Sequence, residues 1–132
     1  MFQNMHFSVW HYLILSLLYP GRDWKDNIYH EDHIFPKSEF MTRSLSAKGY
    51  DADVIASYQK HFNTIANLQL LTDKDNLEKN AEAFDGWLKT REGQFKTRHS
   101  IPMLSDYGFN YFLEFIHKRR DVIKEKLKNI SM

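Results

Sequence analysis

The feature that most constrains the fold of this sequence is the stretch from Tyr29 to Ser38. It places two histidines, two carboxylates and a Phe35-Pro36 step within ten residues. Because the residue before a proline is held extended, the stretch predicts a short strand, Ile28 to Phe35, that ends in a turn. A second polar segment, Asn67 to Asn80, follows later in the chain. We expect these two segments to meet and to form one site.

Hydrophobic periodicity predicts an α+β domain that is mostly helical. The predicted regular elements are a first helix from about His6 to Tyr19, the strand Ile28 to Phe35, a helix from Asp51 or Ala52 to Phe62, a second strand over Ile65 to Leu71, a helix from Thr72 or Asp73 to about Leu88, and a last, basic helix from about Asp106 to Lys128. Arg22 to Asn27 is predicted to be a polar link. Residues 37–50, with a helical turn near Phe40 to Leu45, and Lys89 to His99 are predicted to be loops.

The first helix carries an apolar run, Phe7 to Tyr19, that is too short to span a bilayer, which takes about 20 residues. We therefore predict a core helix and no membrane segment; this helix either lies on the domain or forms the joint to a preceding domain. Its buried stripe is expected to consist of Phe7, Trp10, His11, Ile14, Leu17 and Leu18.

Composition narrows the class of protein further. A length of 132 residues predicts a single domain, residues 1–132. The absence of cysteine excludes disulfides and cysteine-ligated metal sites, and it favours a reducing cytoplasm. Because the formal net charge is only +1, any phosphate-binding surface must come from uneven placement of the basic residues.

Four side chains of the two polar segments suit hydrolysis of a phosphodiester. Asp32 offers a hard oxygen ligand for a cation, and His33 offers a base near neutral pH. Asn76 can supply a second, uncharged oxygen, and Lys79 lies one turn later on the same helix face. Adjacent strand residues face opposite sides, so Asp32 and His33 can act on one phosphate only if the strand ends or bends there.

With the segments Asp32 to Ser38 and Asn67 to Thr72, and with Asn76 and Lys79, the chain resembles the HNH (ββα-metal) endonucleases. The match covers residues 28–88 and implies a ββα-metal core with a short β-hairpin, flanked by an N-terminal helix and a long basic C-terminal helix. By that resemblance Asp32 and Asn76 are metal ligands and His33 is the general base. Asn67 braces the loop between the strands.

A narrower likeness spans most of the chain. The His30 to Ser38 core, the Asn67 to Leu71 strand, the Asn76 to Asn80 helix start and the basic last helix are similar to the C-terminal nuclease domain of GmrSD-type (DUF262/DUF1524) modification-dependent restriction proteins. In those proteins a ParB-like nucleotide-binding domain precedes the nuclease. The likeness implies that this chain is the C-terminal portion of a larger protein, with its first helix facing that domain.

Several residues are candidates for contacts with the phosphates of DNA: Lys79, His30, Arg91, Arg98, Arg119 and Arg120. Structural roles remain open for three of the predicted site residues. His30 can hydrogen-bond beside the strand, Lys79 can be a solvated helix lysine, and Asn67 can cap a turn. His99 is expected to be an ordinary surface or loop residue.

Our sequence-based hypothesis is a DNA endonuclease of a restriction system that uses one Mg²⁺ or Mn²⁺, with Zn²⁺ or Ni²⁺ left open. The alternative is a module of the same fold that binds nucleic acid or assembles without cleaving it. A third reading is a structural metal site built from His30, Asp32 and a distant histidine. Assembly as a homodimer, to cut both strands, is also left open.

Overall fold

Two antiparallel strands lie at the centre of the fold. In the computed structural model, which describes residues 7–21 and 28–130, β1 is Tyr29–His33 and β2 is Leu68–Thr72. Tyr29 pairs with Thr72 at one end and His33 with Leu68 at the other. The described chain is otherwise mostly helical, which confirms the predicted α+β class. The predicted helix start at His6 and the polar link Arg22 to Asn27 lie outside the described residues.

Helices surround this sheet. In chain order they are α1 Phe7–Leu17, α2 Thr42–Ala47, α3 Ala52–His61, α4 Asp73–Lys79, α5 Phe84–Lys89, α6 Phe95–Arg98 and α7 Phe112–Ile130. Three 3₁₀ turns precede α2, β2 and α7, at Lys37–Phe40, Ile65–Asn67 and Phe109–Tyr111. Within the described residues, no helix combines the length and the apolar character that crossing a bilayer requires.

Two predicted helix starts are confirmed by their caps. The Asp51 carboxylate accepts a hydrogen bond from the Val54 N–H at 2.9 Å and begins α3. The Thr72 hydroxyl accepts one from the Asp75 N–H at 3.3 Å and begins α4 immediately after β2. Such caps satisfy N–H groups that have no partner inside the helix.

The predicted single helix from Thr72 or Asp73 to Leu88 is wrong, because the structure divides it into α4 and α5. Asn80 has a positive φ of 48°, which ends α4 at Lys79. Asparagine tolerates this region better than most residues. The segment Lys89 to His99 is likewise not all loop, since Phe95 is buried and begins α6. Residues 37–50 contain α2 as well as a 3₁₀ turn.

The larger of two hydrophobic clusters forms around Phe35, the residue that precedes the proline. Its ring is 2% exposed and lies nearly perpendicular to the rings of Phe84, Phe112 and Phe115, with centroids 5.0, 5.3 and 5.1 Å away. These edge-to-face contacts join the end of β1 to α5 and α7. The turn that follows the predicted site strand is therefore anchored in the core.

The second cluster fills the space between α1, β2 and α7. Leu15 and Leu18 pack there with Leu68, Leu70 and Ile123. Because strand side chains alternate, Leu68 and Leu70 face α1 whereas Leu71 faces the larger cluster. Both faces of β2 are therefore buried.

The apolar stripe predicted for α1 is only partly correct. His11, Leu15 and Leu18 are buried, but Trp10 and Leu17 are 49% and 48% exposed. Val9 and Leu13 are exposed to a similar extent. The buried side of α1 is therefore rotated about the helix axis relative to the predicted one. The exposed residues Val9, Trp10, Leu13 and Leu17 form a second apolar stripe that faces outward.

Truncating Phe35 tests whether this ring supports the core. We expect Phe35→Ala to lower the free energy of unfolding by about 3–5 kcal/mol, because it opens a cavity between three aromatic rings. Urea denaturation followed by circular dichroism measures this change. The control is Leu77→Ala on α4, where the side chain is 73% exposed and the change should stay within about 0.5 kcal/mol. Equal effects of the two substitutions would contradict the central position of Phe35.

Candidate active site

Asp32 lies in β1 against the last turn of α4, and its carboxylate already has two partners. Its Oδ2 accepts a hydrogen bond from Gln69 Nε2 at 2.9 Å. The same oxygen lies 3.1 Å from the Lys79 ammonium. The side chains of Asp32 and Lys79 are 11% and 1% exposed. The carboxylate is therefore a nearly buried anion neutralised by a buried cation.

Lys79 is not available in this structure as the predicted phosphate contact. Besides its ion pair with Asp32, its ammonium donates to the main-chain oxygen of His33 at 3.0 Å. Its side chain is almost fully buried, so the expectation of a solvated helix lysine is also corrected. The physical reason is that the last turn of α4 packs on β1, and the lysine stem bridges the two.

Asn76, the second predicted ligand, lies one turn before Lys79 on α4. Residues three apart in a helix share a face, so the half-buried Asn76 lies on the side of α4 that reaches Asp32 through Lys79. The contact that the structure shows between this side of α4 and Asp32 is that of Lys79. This contact forms because β2 passes directly into α4, with Thr72 as the cap.

His33 has a separate set of neighbours. Its Nε2 lies 2.8 Å from Asn63 Oδ1, and its ring stacks on Phe62 with centroids 5.9 Å apart. In β1 the side chains of Asp32 and His33 leave on opposite faces, and the structure does not bring the imidazole to the carboxylate. The strand nevertheless ends at His33, and the chain bends at Ile34 and Phe35. Both side chains thus stand at the same end of β1.

The amide of Asn63 also determines which histidine nitrogen can act as a base. A carbonyl oxygen only accepts hydrogen bonds, so Nε2 of His33 donates to Asn63 Oδ1 and carries the proton in the neutral ring. Nδ1 is then the nitrogen with the free lone pair. The orientation of Asn63 therefore selects Nδ1 as the site that can accept a proton.

Asn67 is fully buried, and its side chain binds main-chain groups of two loops. Its Oδ1 accepts from the Phe35 N–H at 2.9 Å, and its Nδ2 donates to the oxygens of Phe35 and Phe62 at 3.1 and 2.8 Å. Its own main-chain oxygen accepts from the Ile34 N–H at 2.7 Å. Asn67 lies immediately before β2, and its hydrogen bonds to Ile34 and Phe35 fix the chain just after His33.

Arg119, predicted to contact DNA, lies in the core instead. It is 0% exposed, and its guanidinium donates to four main-chain oxygens, those of Ile65, Ala66, Leu68 and His99, at 2.7–3.1 Å. Burial lowers its pKa to about 10, so it remains a cation at neutral pH. This placement corrects the prediction, because a guanidinium surrounded by carbonyls inside the protein has no open side for a phosphate.

The remaining phosphate candidates differ in how far they reach solvent. His30 Nε2 lies 2.7 Å from Asp73 Oδ1. Arg91 pairs with Asp75 at 3.3 Å and lies over the Trp87 ring. Arg98 pairs with Glu92 at the surface, and Arg120 is half-buried on α7. These residues do not form one cluster with Asp32, so a phosphate-binding face in this part of the chain would be dispersed.

Sequence reasoning missed two residues that touch the site. Gln69 is fully buried and donates to Asp32, and its Oε1 is a buried oxygen without a hydrogen-bond partner among the described residues. A polar residue inside the apolar run Leu68 to Leu71 was the available signal. Asn63, which holds His33, sits in a loop, and its sequence context gives no such signal.

The oxygen atoms that this site offers suit a hard cation such as Mg²⁺ better than they suit zinc. In the described residues, no group of three or more His, Asp or Glu side chains is arranged to hold a metal. What the site offers is the Asp32 carboxylate, the Asn76 amide and the unsatisfied Gln69 oxygen. Magnesium is commonly held by one or two protein oxygens and keeps several waters. The Lys79 ammonium competes for the same carboxylate.

A double-mutant cycle tests the Asp32–Lys79 pair. We expect Lys79→Met to cost about 3–5 kcal/mol of unfolding free energy, because it leaves the Asp32 carboxylate nearly buried without its cation. The double substitution Asp32→Asn, Lys79→Met should cost less than the sum of the two single changes. Chemical denaturation of the four proteins measures the coupling. Costs that simply add would show that the pair contributes little to stability.

Comparison with known proteins adds no assignment to this geometry. No protein-family model matches the chain, and no curated protein matches it. The resemblance of residues 28–88 to the HNH endonucleases therefore rests on the motif and its spacing. The family of this chain is not shown by these comparisons, and its function has to be argued from the arrangement of the site.

Proposed function

We propose that this protein is a metal-dependent endonuclease that hydrolyses phosphodiester bonds in DNA. The observation that carries the proposal is the contact between Lys79 and Asp32 across α4 and β1. Because Asn76 and Lys79 share one face of α4, this contact turns that face toward Asp32, the other predicted metal ligand. The contact joins the two motif segments of the chain, while the His33 imidazole lies on the opposite face of β1 against Asn63 and Phe62.

In this mechanism Asp32 and Asn76 would hold one Mg²⁺ or Mn²⁺. The Gln69 side chain, whose amide donates to Asp32 and whose oxygen is unpartnered among the described residues, would be a further ligand. A bound cation would supply positive charge to offset the charge that develops on the phosphate and the leaving oxygen. The role of Asp32 and Asn76 is to fix the position of that cation, and the phosphate would be oriented through the cation because a carboxylate repels a phosphate.

His33 acts as the general base in this proposal. Since Asn63 holds the proton on Nε2, the Nδ1 lone pair takes a proton from the attacking water. The stacking of Phe62 on the imidazole and the hydrogen bond of Asn63 hold the ring in place. Asn67 positions the same strand end through Phe35 and does not touch the reacting atoms. We include it as a positioning residue.

The Asp32–Lys79 ion pair favours a second candidate function. An ammonium 3.1 Å from the carboxylate already offsets the charge that a divalent cation would offset. A domain with this feature can keep the fold and bind nucleic acid without cleaving it. That module would show salt-dependent binding with no need for a metal, because its contacts with the phosphates would be electrostatic. Restriction activity, a nucleotide-binding partner domain and a homodimer remain further proposals that depend on the first.

The nicking of supercoiled plasmid distinguishes the two candidates. With Mg²⁺ or Mn²⁺ present we expect the protein to nick DNA, and a chelator to abolish nicking. His33→Ala should reduce the rate by about 100-fold or more, because it removes the general base. Asn76→Ala should raise the metal concentration needed for half-maximal rate. Binding to the same plasmid should persist in both variants.

His117→Ala is the matched control, since His117 is exposed on α7, a helix that carries neither the proposed base nor a proposed metal ligand. It should nick at the rate of the unmodified protein. If His33→Ala nicks as fast as His117→Ala, or if the chelator has no effect, the endonuclease proposal fails. DNA binding without any nicking under all metals would establish the non-cleaving module instead.

A further inference from the structure

A second concave site lies on the other face of the sheet. It is a cavity of about 570 Å³ bounded by the end of α1, the Tyr29–Thr72 end of the two strands, and α7. Leu70 lines it and belongs to the face of β2 opposite Gln69 and Asp32. His33 leaves on this same face but at the other end of β1, and neither it nor the proposed metal ligands Asp32 and Asn76 line the cavity. The volume of the cavity lies within the range of small-molecule sites.

The deep side of the cavity is apolar and rigid. Leu18, Tyr19 and Leu70 line it and are buried. The Tyr19 hydroxyl accepts from the Leu70 N–H at 3.2 Å and lies 2.8 Å from His99 Nδ1. His99 is 4% exposed and stacks on Phe95 with centroids 4.1 Å apart, which corrects its predicted surface position. These contacts give the cavity a wall that is fixed before any ligand arrives.

The cavity also has an excess of positive charge. Lys126 lines it and donates to the Thr97 oxygen at 3.2 Å and to Ser100 Oγ at 2.6 Å. An ammonium has three N–H donors, so one is left after these two bonds. Burial and the nearby Arg119 lower the pKa of Lys126. In the described part of the chain, Lys126 forms no ion pair with a carboxylate.

Arg119 adds a second cation behind the same wall. Its guanidinium donates to the His99 oxygen at 3.0 Å, and it too forms no ion pair with a described carboxylate. Among the described residues that line the cavity the acid is Asp75, which is paired with Arg91 at 3.3 Å. Arg98 at the mouth is paired with Glu92. No carboxylate of residues 7–21 and 28–130 therefore pairs with Lys126 or Arg119.

We propose that this cavity binds a phosphate-bearing ligand with a flat apolar body, such as a nucleotide. Lys126 holds the phosphate, with Arg98 at the mouth as a second donor, and the wall of Leu18, Tyr19 and Leu70 receives the body. Arg119 is a buried cation with no described carboxylate partner, which is costly, and an anion at the partly buried Lys126 would bring negative charge close to both cations. The ligand is either a free mononucleotide or the phosphate end of a DNA strand, since both present the same group. The inference does not depend on the proposed nuclease activity.

Titration calorimetry with thymidine 5′-monophosphate, without divalent metal, tests this site. We expect the nucleotide to bind more tightly than inorganic phosphate or thymidine, because only it engages both the cation and the apolar wall. Lys126→Gln should weaken binding about tenfold, as expected for the loss of a charge-assisted hydrogen bond. The control is Lys124→Gln, an exposed lysine on the same helix, which should leave binding unchanged.

Two further variants separate this site from others. Gly21 lines the cavity, and a Cβ added there meets no heavy atom within 4 Å, so we expect Gly21→Trp to be tolerated and its indole to obstruct the cavity. His33→Ala should bind the nucleotide normally even where it loses nicking. No binding at millimolar nucleotide, or equal binding by Lys126→Gln and Lys124→Gln, would overturn the proposal. So would unchanged binding in Gly21→Trp.

Oligonucleotides identify the source of the phosphate. A short single strand with a 5′-phosphate that outcompetes the mononucleotide, while the same strand without it does not, indicates a DNA end. Competition by the mononucleotide alone indicates a free nucleotide. Both results support the site, and both should be lost in Lys126→Gln. Competition by either strand that persists in Lys126→Gln would contradict it.

Discussion

The hydrogen bonds of the Asn67 amide are the constraint on which the arrangement of the site depends. They join Phe35 and Asn67, which are 32 residues apart, and they also bind Phe62. A buried amide that lost these partners would cost about 1–3 kcal/mol for each unsatisfied group. These hydrogen bonds therefore fix the end of β1 relative to the loop before β2 and the start of β2. His33 and Asp32 lie at that end of β1, so their positions are fixed as well.

Two buried cations stabilise the same region in different ways. Lys79 is neutralised by a carboxylate, so it joins α4 to β1 through one ion pair and one hydrogen bond. Arg119 instead satisfies four carbonyls, three of which lie in the segment Ile65 to Leu68 around Asn67. Removing either cation would leave polar groups buried without partners. Basic residues that the sequence suggests for phosphate binding thus hold the scaffold of the proposed site.

The sequence was sufficient for the order of the main elements. The Phe35-Pro36 step located the first strand, and the apolar run Ile65 to Leu71 located the second, which begins only at Leu68 because Ile65–Asn67 form a 3₁₀ turn. Helical spacing located α1, α3 and α7, and the caps Asp51 and Thr72 were visible as residue types. The break at Asn80 was not predictable, because asparagine also occurs within helices and only its backbone angle reveals the end of α4. For the site, the interval of three between Asn76 and Lys79 puts both on one face of α4, and the structure brings Lys79 of that face into contact with Asp32. Spacing gave no information about the burial of Lys79, Arg119 and His99, because long polar side chains look the same in sequence whether their ends reach water or carbonyls.

The contacts of Tyr19 and Arg119 have a further consequence for self-association. On β2 the Leu70 N–H is bound by the Tyr19 hydroxyl, and the Leu68 oxygen is bound by the Arg119 guanidinium. Unpaired main-chain groups at a sheet edge are templates for strand addition from another molecule. These two side chains cap that edge of β2, so an incoming strand finds its hydrogen-bonding positions taken, and the short sheet is protected there against aggregation.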